Sequence, residues 1–442
     1  MDAFVISGGK KLQGHVTLGG AKNVAIKVCL ASLLTDEELI LRNVPQISDV
    51  SVVLELLKHL GVSVSWRGEA LHVQNGRIKK YHVPLEIGAR LRTSSMVLGP
   101  LLTRYGQAVI PNPGGCRIGA RPIDRHIEGL RQMGASIDYR SSDGYFYAKT
   151  DGLHGISYTF AKNTHTGTET LILAAVLAKG RTILKNAAEE VEVDDLIACL
   201  VQMGANIKRS GIREITIEGV FRLGGTEYSI MPDRNEEVTF AIAAAITNGV
   251  ITVQKSQRNV LGVFLDTFQK AGGVYEKVDD RTTTYARSKK LHATDIATGA
   301  FPGFMTDWQA PWAVFMTQVP GVSTIHETVF ESRFSYVQEL KKMGAAIEYF
   351  DPKVTNPEEF YNFNFKDRIQ GYHQAVRIKG PTKLHNAILV MDDLRAGATL
   401  VLAALAASGE SYIHGIEQID RGYEKIEERL QELGARIKRI SE

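Results

Sequence analysis

Apolar positions along the chain recur in a pattern of two alternating kinds of helix. The first kind is built of small apolar residues on nearly every face: NVAIKVCLASLL, SSMVLGPLLTRYG, TETLILAAVLAKG, EVTFAIAAAITNG, QAPWAVFMTQVPG and GATLVLAALAASG. A helix that is apolar all round belongs inside a domain. The second kind carries a charged stripe, as in EKIEERLQELG, and is expected to face solvent. It ends in a shared signature: LKHLGVSVSW, LRQMGASIDY, LVQMGANIKR, FQKAGGVYEK, LKKMGAAIEY and LQELGARIKR. The signature glycines are Gly61, Gly134, Gly204, Gly272, Gly344 and Gly434, spaced by 73, 70, 68, 72 and 90 residues. Glycine there predicts a left-handed helix stop with a strand following.

Self-similarity at a near-constant period marks a repeat architecture. Each unit reads as helix, strand, helix, strands. Six such units exceed one core, so an α/β fold with two domains of three units each is expected. The boundary falls between GVFRLGG (219–225) and Pro232. It gives one domain over 20–230 and another over 1–19 plus 231–442. Strands within the first 18 residues would then pair with the C-terminal half. The last spacing is stretched by an insertion, roughly Asp351 to Tyr372, rich in Asn, Phe and Tyr and without a legible role.

Chemistry concentrates just before the apolar helices. There the chain places Lys22-Asn23, Arg90 and Arg92, Thr164 to Thr168, Asp233-Arg234, Thr306-Asp307, and Asp393 with Arg395. From Lys22, Arg92, Thr166, Asp233, Asp307 and Arg395 to the next signature glycine the offsets are 39, 42, 38, 39, 37 and 39. Equivalent positions in a repeat project to the same end of a domain. Helix N-termini present unpaired N–H groups to anions, and Lys22, Arg92, Arg121 and Arg395 add charge suited to a phosphate and a carboxylate. Asp307, a carboxylate amid cations, would stay ionised and available as a base.

One further stretch stands out. PNPGGCRIGARPIDRH (111–126) sets Cys116 after two glycines and beside Arg117 and Arg121. That setting predicts a mobile loop whose arginines favour a thiolate and attract anions. From Pro122 a helical spacing of Ile123, Ile127, Leu130 and Met133 begins.

Bulk composition changes little. Lys+Arg 52 against Asp+Glu 49 gives a net charge of +3, too balanced to indicate nucleic-acid binding. Cys29 and Cys199 fall in apolar helical patterns and read as buried core thiols. Three cysteines far apart suit a reducing compartment. The first residues, MDAFVISGGKKLQGHV, lack a signal-peptide pattern, and the longest strongly apolar run, 398–407, is too short for a membrane span. A cytoplasmic protein without membrane association is expected. No P-loop, no GxGxxG after a strand, no HExxH and no paired CxxC occurs, so neither a dinucleotide nor a structural zinc is indicated.

GGAKN, LRTSSMVLGPLL, PGGCRIGARPIDRH, MPDRNEE, FPGFMTDWQA, ETVFESRF, DDLRAGATLVLAAL and IDRGYEKIEERL, in that order, resemble the motifs of the UDP-N-acetylglucosamine enolpyruvyl transferase (1-carboxyvinyltransferase) family. The resemblance runs essentially end to end. It implies a two-domain inside-out α/β barrel of six repeats, with the active site in the interdomain cleft. It implies transfer of the enolpyruvyl group of phosphoenolpyruvate to the 3-hydroxyl of UDP-N-acetylglucosamine, with phosphate released and no metal or organic cofactor. Cys116 matches the loop cysteine that protonates or binds the enolpyruvyl group, and Asp307 the base. Lys22, Arg92, Arg121 and Arg395 match the cations that hold phosphoenolpyruvate, with Lys22 and Arg395 counted as catalytic. Asn23 matches a contact to the acceptor hydroxyl. Arg121, Pro122, Ile123, Asp124, Arg125 and His126 match the nucleotide-binding segment. Lys162, Thr164, His165 and Thr166 fall to the nucleotide's phosphate and uracil side, and Val329 and Phe330 sit beside the sugar.

The chain departs from the family pattern in three places. Thr164-His165-Thr166-Gly167-Thr168 replaces Ser-Val-Gly-Ala-Thr, so Thr166 stands where a glycine would let backbone approach the diphosphate. Arg125 replaces an apolar residue, and Arg234-Asn235-Glu236-Glu237-Val238-Thr239 replaces Arg-Ile-Glu-x-Gly-Thr. These leave two other readings: an enolpyruvyl transferase for another acceptor, such as a nucleoside monophosphate or shikimate 3-phosphate, or a non-catalytic paralogue that binds a UDP-sugar. The oligomeric state stays open.

Overall fold

The computed structural model describes every residue except Met1, Arg77, Lys79, Cys116, Arg117, Ala120, Arg121, Gln370, Asp392 and Glu442. The chain divides into two compact units. The first holds Gly20–Gly115 and Pro122–Met231. The second holds the first 19 residues, the short piece that carries Ile118 and Gly119, and the chain from Pro232 onward. Each has its own hydrophobic core. The fold is two-domain α/β, built from repeated helix–strand units.

In the first unit the inner helices are Lys22–Ala31, Leu98–Tyr105 and His165–Ala175. In the second they are Arg234–Ile246, Gln309–Thr317 and Leu394–Ala406. Nearly every residue of these helices is buried, as their all-round apolar sequences require. Charge-striped helices such as Ser48–Leu60 and Val191–Gln202 bury one side only. Sheets lie outside the inner helices, which makes each unit an inside-out arrangement.

Among the described residues the strands form six sheets, three in each unit. Five have four strands with one parallel pair, for example Thr226–Ser229 beside Glu38–Arg42 and Gln13–Thr17 beside Val250–Gln254. The sixth has three strands, and the His82–Val109 bridge stands where the parallel pair would be. In most repeats the signature glycine is followed by a hairpin, such as Val62–Arg67 with Ala70–Asn75. The last repeat has only Arg436–Ser441 left, and the N-terminal strand Asp2–Ser7 takes the missing place between it and Glu410–His414. That pairing satisfies an otherwise open edge.

All six signature glycines have positive φ, from +89° to +107°. The helix expected over SSMVLGPLLTRYG is split into a 3₁₀ segment, Arg92–Val97, and the α-helix Leu98–Tyr105. Thr306–Trp308 likewise leads as a 3₁₀ turn into Gln309–Thr317. Both α-helices carry proline at their third residue, Pro100 and Pro311. There the missing N–H falls in a first turn that has no α-helical partner for it.

The glycine stops differ in what surrounds them. A Cβ on Gly204 would meet nothing within 4 Å, whereas one on Gly272 would lie 2.3 Å from the Lys290 carbonyl oxygen. Gly204→Ala should therefore cost about 1–2 kcal/mol from the left-handed conformation alone. Gly272→Ala should cost distinctly more. Urea midpoints compared at constant m-value test this, and equal losses would contradict it.

Candidate active site

Each polar cluster stands at the start of an inner helix. Asp233 caps Arg234–Ile246 by accepting from the Asn235 N–H at 2.8 Å. Asp393 caps Leu394–Ala406 through the N–H groups of Arg395 and Ala396. Thr164 caps His165–Ala175 through Gly167 N–H. Lys22 opens its helix, Arg92 opens the 3₁₀ turn before Leu98–Tyr105, and Asp307 lies in the turn before Gln309–Thr317. Side-chain caps thus fix three of the six helix starts, at Thr164, Asp233 and Asp393, while Lys22, Arg92 and Asp307 stand at the other three without capping them.

In the second unit these residues converge on Asp307. Its Oδ1 accepts from Arg333 Nη2 at 2.5 Å, and its Oδ2 lies 3.3 Å from Arg395 Nε. The two arginine side chains are only 5–7 % exposed while Asp307 is 25 % exposed, so the carboxylate is the member of the trio that solvent reaches. Arg395 Nη1 also donates to the Tyr423 hydroxyl at 3.0 Å, and that hydroxyl meets Thr239 Oγ1 at 2.8 Å. Burial works against the Arg395 charge. Tyr423, Asp307 and Asp233 more than offset it and hold the guanidinium above its ordinary range.

Glu327 ties this trio to Val329 and Phe330. Its Oε1 accepts from both their amides, at 2.7 and 3.1 Å, and from Thr298 Oγ1. Its Oε2 accepts from the hydroxyl of Thr306, the neighbour of Asp307. Burial raises its pKa, against the pull of Arg333 and these donors. The departure at Asn235 has a local partner, since its side-chain oxygen accepts from Trp308 Nε1 at 2.9 Å.

In the first unit Lys22 pairs with Asp49 at 3.0 Å, and Asn23 follows it half-buried. His126, buried, bonds Thr166 Oγ1 through Nε2 at 3.0 Å. That bond joins the segment from Pro122 to His126 with 164–168, which is not a loop but the Thr164 cap and first turn of the helix His165–Ala175. In that segment Ile123 is buried, Arg125 partly buried, and Pro122 and Asp124 exposed. Burial lowers the Arg125 pKa while Asp124 opposes it. Lys162 is half-buried. His165 turns its Nε2 onto Glu169 Oε1, 3.1 Å away, and Lys27 meets the same oxygen at 3.0 Å.

Cys116 and Arg121 lie outside the described residues. Their neighbours are fixed closely. Gly114 N–H and Gly115 N–H donate to the carbonyls of Gly88 and Ala89, and a Cβ on Gly114 would sit 2.0 Å from the Ala89 oxygen. The paired glycines therefore serve close backbone approach as well as turning. Gly119, at φ +130°, lies against Glu331, where a Cβ would collide with the carboxylate.

Comparison with known proteins places these features in a family. The family model for EPSP synthase (3-phosphoshikimate 1-carboxyvinyltransferase) matches residues 6–430. The UDP-N-acetylglucosamine 1-carboxyvinyltransferase of Solibacter usitatus is 42% identical over 441 residues, covering 100% of both chains. That of Acidobacterium capsulatum is 43% identical, covering 100% of this chain and 96% of its own.

The chain belongs to the UDP-N-acetylglucosamine 1-carboxyvinyltransferase family.

A solved enolpyruvyl transferase, NikO from Streptomyces tendae, has the same fold with a TM-score of 0.85 at 22% identity, covering 100% of this chain and 99% of its own. No helix among the described residues is long and apolar enough to cross a membrane.

Three groups at or beside the site escaped the sequence reading. Arg333 lies in ETVFESRF, outside the helix-start clusters and so outside the repeat register. Glu327 is in the same stretch and looks like an ordinary strand-end carboxylate. Lys27 and Glu169 did leave a signal: each is a charge inside a helix that is otherwise apolar all round, and such a charge requires a partner.

Proposed function

We propose that this enzyme transfers the enolpyruvyl group of phosphoenolpyruvate to the 3-hydroxyl of UDP-N-acetylglucosamine and releases phosphate, the first committed step of peptidoglycan precursor synthesis in the cytoplasm. The observation that carries the reading is Asp307 held between Arg333 and Arg395 in a chain 42–43% identical to transferases of that name. The domain assignment 20–230 against 1–19 plus 231–442 belongs to the same proposal.

A proton added to C3 of phosphoenolpyruvate, with Cys116 as the donor, leaves an oxocarbenium-like centre at C2. The sugar 3-hydroxyl attacks C2 and Asp307 takes its proton. The tetrahedral intermediate still carries phosphate. Loss of a proton from C3 and cleavage of the C2–O bond to phosphate then give the enolpyruvyl ether. Fixed positive charge from Lys22, Arg92, Arg121 and Arg395 stabilises the carboxylate and the departing phosphate. Asn23 orients the acceptor hydroxyl. Pro122 to His126, Lys162 and Thr164 to Thr166 hold the nucleotide, while Val329 and Phe330 flank the sugar. The His126–Thr166 bond ties the altered helix start to the Pro122–His126 segment.

The test is phosphate release from phosphoenolpyruvate with UDP-N-acetylglucosamine, UMP or shikimate 3-phosphate, for wild type and Cys116→Ser. Release with the UDP-sugar alone, and its loss or strong slowing in Cys116→Ser, is expected. Release with another acceptor would assign the altered 164–168 segment to a different specificity. Phosphoenolpyruvate binding without any release would favour a non-catalytic role.

A further inference from the structure

The insertion between Asp351 and Tyr372 has a small core of its own. Tyr361 and Phe363 are buried. The Tyr361 ring stacks on Phe363 and Phe365 with centroids 5.0 and 5.1 Å away, and Arg368 covers Phe365 at 4.3 Å. At its base, Asp351 accepts from Gln374 N–H and pairs with His373. A long loop ordered this thoroughly gives up considerable conformational entropy, and such loops are usually functional or disordered.

Its attachment points suggest the function. The Tyr361 hydroxyl meets His326 Nε2 at 3.0 Å, and Phe360 stacks on the same imidazole at 5.3 Å. Asn362 N–H donates to the Thr328 carbonyl at 2.8 Å. His326 ends the strand Gly321–His326, and Glu327, Thr328, Val329 and Phe330 follow directly. These residues are tied elsewhere by Thr298, which bonds both the amide and the hydroxyl of Thr328, and by Glu327, which takes the next two amides. The backbone of the strand end is held by its neighbouring strands and by the Thr298 amide; the insertion adds restraint on the Thr328 carbonyl and on the His326 side chain.

We propose that the insertion braces the loop that carries Val329 and Phe330, with Tyr361 as the positioning residue for the sugar end of the acceptor. This rests on the assignment of that loop to the sugar of UDP-N-acetylglucosamine. Tyr361 touches no reacting atom. Its ring holds the insertion together, its hydroxyl holds the His326 side chain, and its neighbour Asn362 holds Thr328.

Two readouts on the full-length protein test it. In steady-state assays Tyr361→Ala should raise the KM for UDP-N-acetylglucosamine about tenfold while the KM for phosphoenolpyruvate and kcat stay near wild type. Tyr361→Phe, which keeps the ring stack but loses the bond to His326, should recover only the part of the loss that the ring carries. In ligand-free hydrogen exchange, Tyr361→Ala should deprotect the amides of Val329 and Phe330. An unchanged KM with unchanged exchange would overturn the brace, as would a uniform rise in exchange across the second unit with kcat falling for both substrates. The exchange result also separates the two ideas: deprotection without any turnover of the UDP-sugar by wild type would keep the brace and sink the acceptor assignment. Should Tyr361→Ala not fold, Tyr361→Leu gives the same readouts with apolar volume retained.

Discussion

Asp307→Asn is expected to lower kcat with phosphoenolpyruvate and UDP-N-acetylglucosamine by about 10²- to 10⁴-fold, the range a positioned general base contributes. The amide matches the carboxylate in size, and its oxygen can still accept from Arg333 in place of Oδ1. It cannot take the proton of the attacking hydroxyl. On the other side its NH₂ group would meet Arg395 Nε, now donor against donor, where the carboxylate oxygen stood at 3.3 Å. With Asp307 a quarter exposed, water can relieve that clash, so the fold and acceptor binding should survive. Stopped-flow or coupled phosphate release supplies the rate, and calorimetric titration with the UDP-sugar supplies the binding control. A variant within tenfold of wild type would take the base role away from Asp307. A raised KM with kcat intact would make it a binding group instead.

How Asp307 is held shows what a single sequence reveals and what it hides. Its place was legible because repeats put equivalent residues in register, and the same register selected Arg395, which an ion pair joins to it. Arg333 was not legible. It reaches Asp307 from the loop after the strand Gly321–His326, where no periodic rule applies and only three-dimensional folding brings it near. The glycine stops and inner helices were readable for the opposite reason, since each is dictated locally, by left-handed φ or by side-chain polarity on every face. The 3₁₀ openings before Pro100 and Pro311 were readable in principle, because proline within a first turn marks where α-helical bonding has not yet begun. The insertion was visible only as extra length. Its aromatic stacking and its bond to Thr328 depend on a fold-back that its composition does not dictate.

The largest stability effect is expected from Lys27→Met. Lys27 and Glu169 belong to two inner helices of the first unit, and their side chains are 2 % and 0 % exposed. Removing one partner of a buried ion pair strands the other charge, a loss of about 3–5 kcal/mol. His165 modifies this, because its Nε2 remains 3.1 Å from the same carboxylate oxygen. Burial disfavours the imidazolium and so does Lys27, but the adjacent Glu169 carboxylate prevails and raises the His165 pKa. A raised pKa means that the His165 contribution is fully present below its unfolded value, about 6.5, and fades as pH climbs through the folded value. In Lys27→Met the imidazolium is the remaining cation beside Glu169 in this triad. The destabilisation should thus be smaller at pH 6 than at pH 8, while His165→Val in the Lys27→Met background should remove that pH dependence. Replacing the whole group, with Lys27→Met, Glu169→Leu and His165→Val together, should recover most of the stability, because no charge is then left buried. Urea unfolding of the four proteins at both pH values decides the matter. A Lys27→Met loss within about 1 kcal/mol at both pH values, the worth of an exposed pair, would mean that water or chain relaxation solvates Glu169. The triad would then act as a polar spacer between the two helices rather than as a buried electrostatic lock.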